Sequence, residues 1–216
     1  MIPDITINGT SMLSLGWLRE SVSFPTPQSQ SEVVTVPGRN TPIRYTEALG
    51  SVSFKPRNFS ITLTMLGTRS EFSRQSAVII NRYAGRLCRV SLNEEPDLYV
   101  VGTLEAEPAY DPISGKGQVV FSCQDGDSYR YHTDETIIVQ SGKAVLTLQN
   151  DFMPVVPVIT TTADTDLSWK VGTDTFRKTV SEGTWEIPEL ELKEGANTIS
   201  VNTTGSVTFR YREGCL

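Results

Sequence analysis

The only histidine, His132, would have to supply the imidazole of any Ser-His-Asp or Cys-His mechanism in this chain. It stands in the hydrophilic run DGDSYRYHTDET, and no G-x-S-x-G elbow occurs anywhere to present a nucleophile to it. It reads as a solvated surface histidine. Three cysteines, Cys88, Cys123 and Cys215, are scattered along the sequence. A zinc site with one histidine would need several thiolates close together, and metal-type CxxC spacing is absent. Cys88 and Cys123 fall on predicted strands and read as small buried thiols. Asp125-Gly126-Asp127 lacks the further oxygen ligands of a calcium loop and reads as a turn. Glu94 and Glu95 are neighbours on what looks like a loop, where adjacent side chains point apart rather than forming an acid/base pair. Two acids from distant strands remain a route to glycoside hydrolysis. Ser141-Gly142-Lys143-Ala144 has the Gly-Lys of a phosphate loop without its earlier glycine or its following Ser or Thr. No catalytic residue, cofactor or metal is therefore expected. The chain reads as a protein that works by contact and not as an enzyme.

The elements that would position such contacts are strands. In NFSITLTML, Phe59, Ile61, Leu63 and Met65 alternate with Ser60, Thr62 and Thr64, the period of a strand buried on one face. The same alternation recurs at Val119, Phe121 and Cys123, at Ala144, Leu146 and Leu148, and at Val207, Phe209 and Tyr211. DPISGKG, between LYVVGTLEAEPAY and QVVFSC, reads as a hairpin connection. One segment changes period. In SEFSRQSAVIINRYAGRL, Phe72, Ser76, Ile79, Ile80, Tyr83 and Leu87 lie on one helical stripe, with Ser70 as the expected N-cap and Gly85 near the end. A helix over about 70–86 is expected to lie packed on a sheet, since a free helix of that length is marginal in water.

The run DGDSYRYHTDETIIVQSGKA holds polar residues and turn formers, and the domain boundary is placed inside it. Residues 1–135 form a mainly β, sandwich-like domain with one packed helix. Residues 136–216 restart as seven short strands, AVLTLQN, VVPVITTTA, LSWKVG, TFRKTV, TWEIPELEL, NTISVN and SVTFRYR, the pattern of a β-sandwich or jelly roll. Trp169 and Trp185 sit in alternating strand patterns and are expected in its core.

Composition narrows the class of partner. The 216 residues are 38% hydrophobic and 20% charged, within the globular range, and the formal net charge is −6. An acidic chain argues against a nucleic-acid binder, which would show a basic face, and against attachment to anionic membranes. MIPDITINGT has no basic flank and no apolar core of signal-peptide length.

A family resemblance is carried by motifs in order: Ile7-Asn8-Gly9, the VPGRN turn at Val36–Asn40, FKPRNFSITLTM, the helix through Ile79 and Tyr83, LCRVSLNEE, and YVVGTLEAEPAY…GKGQVVFSCQDG. This succession resembles the N-terminal domain of the phage distal tail proteins. IPELELKEGANTISVNTTGSVTFRYREGCL looks like that family's C-terminal galectin-like sandwich, where GxNxI enters a strand. The resemblance implies a structural protein of the phage or prophage virion, assembled in the bacterial host cytoplasm. It implies a homo-oligomeric ring, usually a hexamer, joining the tail tube protein to the tail-tip or baseplate hub protein. Nucleic acid would only pass through the lumen, where net acidity would keep DNA mobile, and no membrane insertion is implied. A lectin-like carbohydrate-binding module using Trp169 and Trp185, or another tail protein such as a tube subunit, are the alternatives.

Val36-Pro37-Gly38-Arg39 reads as a type II turn between two strand-forming runs, with proline second and glycine third. On composition alone it is a solvated hairpin. With the resemblance, Pro37, Gly38 and Arg39, with Arg44, Glu47 and Arg57 nearby, become a docking corner at the ring or tube interface. There an arginine would pair bidentately with a neighbour's carboxylate.

Overall fold

Asn8 and Gly9 reverse the chain near its start, both with positive φ (49° and 77°), the backbone of a two-residue type I′ hairpin. The computed structural model describes residues 2–30, 32–35, 37–38, 40–41, 43–45 and 52–216. That hairpin joins β1 (Ile5–Ile7) to β2 (Thr10–Ser11); β3 (Leu18–Ser23), β4 (Glu32–Val34), β5 (Ile43–Tyr45) and β6 (Arg57–Leu66) follow. Helix α1 (Arg69–Tyr83) leads into β7 (Arg86–Leu92), β8 (Glu95–Asp111), β9 (Lys116–Gly126) and β10 (Arg130–His132). The chain continues through β11 (Thr136–Ser141), β12 (Ala144–Asn150), β13 (Val158–Thr161), β14 (Thr165–Val171) and β15 (Asp174–Val180). It ends with β16 (Gly183–Glu186), β17 (Gly195–Thr203), β18 (Ser206–Tyr211) and β19 (Gly214–Cys215). Two compact units result: Met1–Arg130 with Leu216, and Tyr131–Cys215.

In the first unit the strands run in the order β2-β1-β7-β8-β9-β6-β3. Strand β8 serves two half-sheets: its first half pairs with β7 up to Leu104, and its second pairs with β9 from Glu105 onward. The alternation expected of β6 is present, with Phe59, Ile61 and Leu63 buried and Ser60, Thr62 and Thr64 on the opposite face. Ile5, Trp17, Ile79, Leu104, Val119 and Phe121 complete a core in which each is at most 1% exposed. Full burial of such side chains contributes about 1.5–3 kcal/mol each.

The helix differs from its sequence reading at both ends. Its N-cap is Thr68, not Ser70: the Thr68 hydroxyl accepts from the Glu71 main-chain N–H, and Glu71 Oε2 accepts from the Thr68 N–H at 2.7 Å. This reciprocal pair satisfies two of the helix's free donors. The helix closes at Tyr83, and Gly85 (φ 71°) turns the chain into β7. Leu87 therefore belongs to a strand, where it is 69% exposed, and the buried stripe is Phe72, Ser76, Ile79 and Tyr83.

The second unit is a β-sandwich of two four-stranded antiparallel sheets, β11-β18-β13-β16 and β12-β17-β14-β15. Leu148, Leu167, Ile199 and Val201 from one sheet meet Ile159, Val207 and Phe209 from the other. All seven expected strands are present. An eighth, β11, comes from residues 136–141, within the run of polar residues and turn formers at the joint. The GxNxI pattern has a physical basis. Asn197 Oδ1 accepts from the Lys193 N–H at 2.9 Å and its Nδ2 donates to Lys193 O at 2.7 Å, which fixes the chain entering β17, while Ile199 is buried. Trp169 is buried, stacked on Phe176, with its indole N–H on Glu189 O at 2.9 Å. Trp185 departs from expectation: its strand β16 is an edge among the described residues, and it remains 38% exposed.

Candidate interaction site

The expected turn is present where it is described. Pro37 and Gly38 form an exposed turn, with Gly38 at φ 82° as the third position of a type II turn requires. It joins β4 and β5, which pair antiparallel from Glu32↔Tyr45 to Val34↔Ile43. Arg44 stands opposite Val33 in that ribbon, and Arg39 and Glu47 lie outside the described residues.

Arg57 does not belong with them. It is 1% exposed, at the start of β6. Its Nε and Nη2 donate to Ser128 O at 3.2 and 2.8 Å, and its Nη1 donates to Pro25 O at 2.9 Å. A buried guanidinium needs such acceptors, and these bonds commit it to tying the loop before β4 to the segment after β9. It is an internal brace and not a surface docking residue.

The first unit offers a second surface that sequence reading did not assemble. Opposite α1, the face of β3, β6, β9 and the second half of β8 has no buried side chain among the described residues. Register sets Ser60, Ser122 and Glu105 in one row and Thr62, Val120 and Glu107 in the next. Glu105 and Glu107 are exposed, and neither has an ion-pair partner among the described residues. Glu20 accepts from Lys116 Nζ at 2.7 Å and from Gln118 Nε2 at 3.0 Å, and these bonds hold its carboxyl below the usual range. The face thus carries hydroxyls and amides beside apolar Leu18, Leu66 and Val120, with unpaired carboxylates and one neutralised pair. The hydroxylated side of β6 was legible in the sequence. The glutamate rows were not, because they depend on the pairing of β8 with β9.

Charge is unevenly divided. Residues 1–130 hold 13 acidic and 12 basic side chains, whereas residues 131–216 hold 12 and 7. The net acidity therefore resides in the second unit, and any repulsive wall in the first must come from placement rather than from excess.

The groups considered for catalysis are dispersed. His132 Nε2 lies 3.6 Å from Asp151 Oδ2, at a partly exposed position. Glu94 pairs with Arg19 and Glu95 with Arg130, so the adjacent acids do face apart. Burial pushes the Cys123 thiol up to about 11, an inert setting, and all three cysteines are free. No cluster of His, Cys, Asp and Glu able to hold a metal occurs among the described residues. None of their helices is long and apolar enough to cross a membrane.

These features define a mainly β protein of two units, the first a sheet structure carrying one helix and the second a β-sandwich. The same architecture occurs in a solved structure, the Dit (gp 19.1) protein of phage SPP1, described as a paradigm of the hub adsorption apparatus in phages that infect Gram-positive bacteria. The two chains superpose with a TM-score of 0.70 over 98% of this chain and 99% of that one, at 14% identity. The fold that the motif succession implied is the fold the chain has. No protein-family model matches the sequence, and no curated protein matches it.

Proposed function

We propose that this chain is a structural phage or prophage distal tail protein whose first units close into a hexameric ring between the tail tube and the tail-tip hub. The observation that carries this reading is the end-to-end likeness to SPP1 Dit, which covers both units and not one common β module. A ring needs a heterologous contact, one patch meeting a different patch on the next copy. The exposed Pro37-Gly38 corner, with Arg39 next to it in sequence and Arg44 and Glu47 further along the chain, supplies one such patch. The uncovered face bearing Glu105 and Glu107 lines the lumen. Its hydroxyls and amides offer DNA no cationic grip, and its unpaired carboxylates repel phosphate, so the passing polymer stays mobile.

Gold-labelled antibody against the chain, applied to intact particles of the phage that encodes it, tests the reading. Label at the distal end of the tail tube is expected, and label along the whole tube would favour a tube subunit instead.

A further inference from the structure

The outward face of the β12-β17-β14-β15 sheet is hollowed into a trough of about 850 Å³. Lys143 stands at one margin, in the turn before β12, and Arg177 stands at the other, on edge strand β15, where Lys178 falls on the inner row with Phe176 and Val180. Neither Lys143 nor Arg177 has a carboxylate partner among the described residues. The one acid of the floor, Asp166, is engaged: its Oδ1 accepts from the Thr179 hydroxyl at 2.6 Å and its Oδ2 from Asn202 Nδ2 at 3.4 Å. A cationic trough thus sits on a unit with 12 acidic and 7 basic side chains, against the charge of its surroundings. A cation on an edge strand commonly guards it against strand addition, which accounts for Arg177. It does not account for Lys143 on the far side of the sheet, or for the hollow between them.

We infer that this trough is a docking groove for an extended, carboxylate-rich polypeptide segment of a neighbouring protein. That the neighbour is a tail component rests on the function proposed above; the chemistry of the groove does not. Three strand spacings separate β12 from β15, about 14 Å, a distance that some four or five extended residues span. No aromatic ring lines the trough, so a sugar has no stacking platform there. A polypeptide instead brings carboxylates for the cations and main-chain N–H groups for Asp166 and the neighbouring serines, Ser168 and Ser200.

The test is a titration of the full chain with a fluorescein-labelled peptide of alternating glutamate and threonine, (Glu-Thr) repeated to about eight residues so that its length exceeds the span just given, followed by anisotropy. Binding that weakens with added salt is expected. Arg177→Glu should weaken it about tenfold, while Lys193→Glu, the same charge change outside the trough, should alter it by less than about twofold. Absence of peptide binding, equal losses from the two variants, or tighter binding of tripolyphosphate or maltohexaose would overturn the inference. Native mass spectrometry reads the ring independently. An intact ring that ignores the peptide removes the groove and leaves the proposed function, whereas a monomer that binds it through Arg177 supports the groove and removes the ring.

Discussion

Gly117 of β9 lies directly beneath the ring of Phe72 of α1: a Cβ at position 117 would collide with Phe72 Cδ2 and stand 2.9 Å from its Cγ. The requirement is for space and not for a special backbone conformation. Phe72 also stacks on Tyr110, with centroids 5.5 Å apart, and meets the edge of Trp17 at 6.2 Å. This contact seats the helix on the sheet. Gly117→Val should cost about 1–3 kcal/mol by overpacking, read by urea denaturation, with loss of near-ultraviolet dichroism from Trp17. An unchanged transition would mean that the helix can shift freely over the sheet.

Arg57→Met separates a brace from a docking residue. The substitution keeps the apolar stem and removes the charged donor from Ser128 O and Pro25 O, a loss of about 1.5–3 kcal/mol for each hydrogen bond made by a charged group. The first unit should lose stability in the isolated chain, before any assembly. A surface arginine would show the opposite, with stability intact and only association impaired.

Stability should fall on both sides of neutrality. Glu94 is held below the usual carboxylate range first by its hydrogen bond from Arg19, Glu71 by Thr68, Asp111 by Ser114 and Asp125 by Thr103. A lowered folded value means that the stabilisation is present above the ordinary carboxylate range and is lost as pH falls through the lowered values, below about pH 4. These groups are exposed, so the acid limb should be shallow and should flatten further in salt. Burial raises the Cys123 thiol to about 11 and the Tyr211 phenol to about 12. Their contribution is complete below the ordinary thiol and phenol values and is lost as pH rises through the folded ones, from about pH 9 toward 12. Melting temperature against pH should be level near neutrality and decline at both ends. A rise toward pH 4 would contradict the assignments.

What the sequence made legible was local. β6 displayed its two faces, and the helix showed its change of period. The true N-cap was also readable, since Thr68 and Glu71 stand at capping-box spacing, but Ser70 lay closer to the apolar stripe. Arg57 was not readable. Its acceptors lie 32 and 71 residues away, and nothing in KPRNF distinguishes a buried arginine from a solvated one. Trp185 looked like a core residue because its strand alternates, and only the sheet order reveals that β16 is an edge. The candidate surfaces share this limit. The hydroxyls of β6 show in sequence, but the glutamate rows beside them and the cations flanking the second unit's trough depend on register between distant strands.

The central claim is that this protein acts by closing into a ring with copies of itself. Native mass spectrometry of the purified 23.8 kDa chain, with negative-stain imaging of the same sample, tests it most directly. The account predicts six copies in an annulus. It further predicts that Arg39→Glu lowers the yield of rings while leaving the monomer's circular dichroism unchanged. A monomer at every concentration measured, or rings indifferent to that charge reversal, would contradict the ring in the first case and the docking corner in the second.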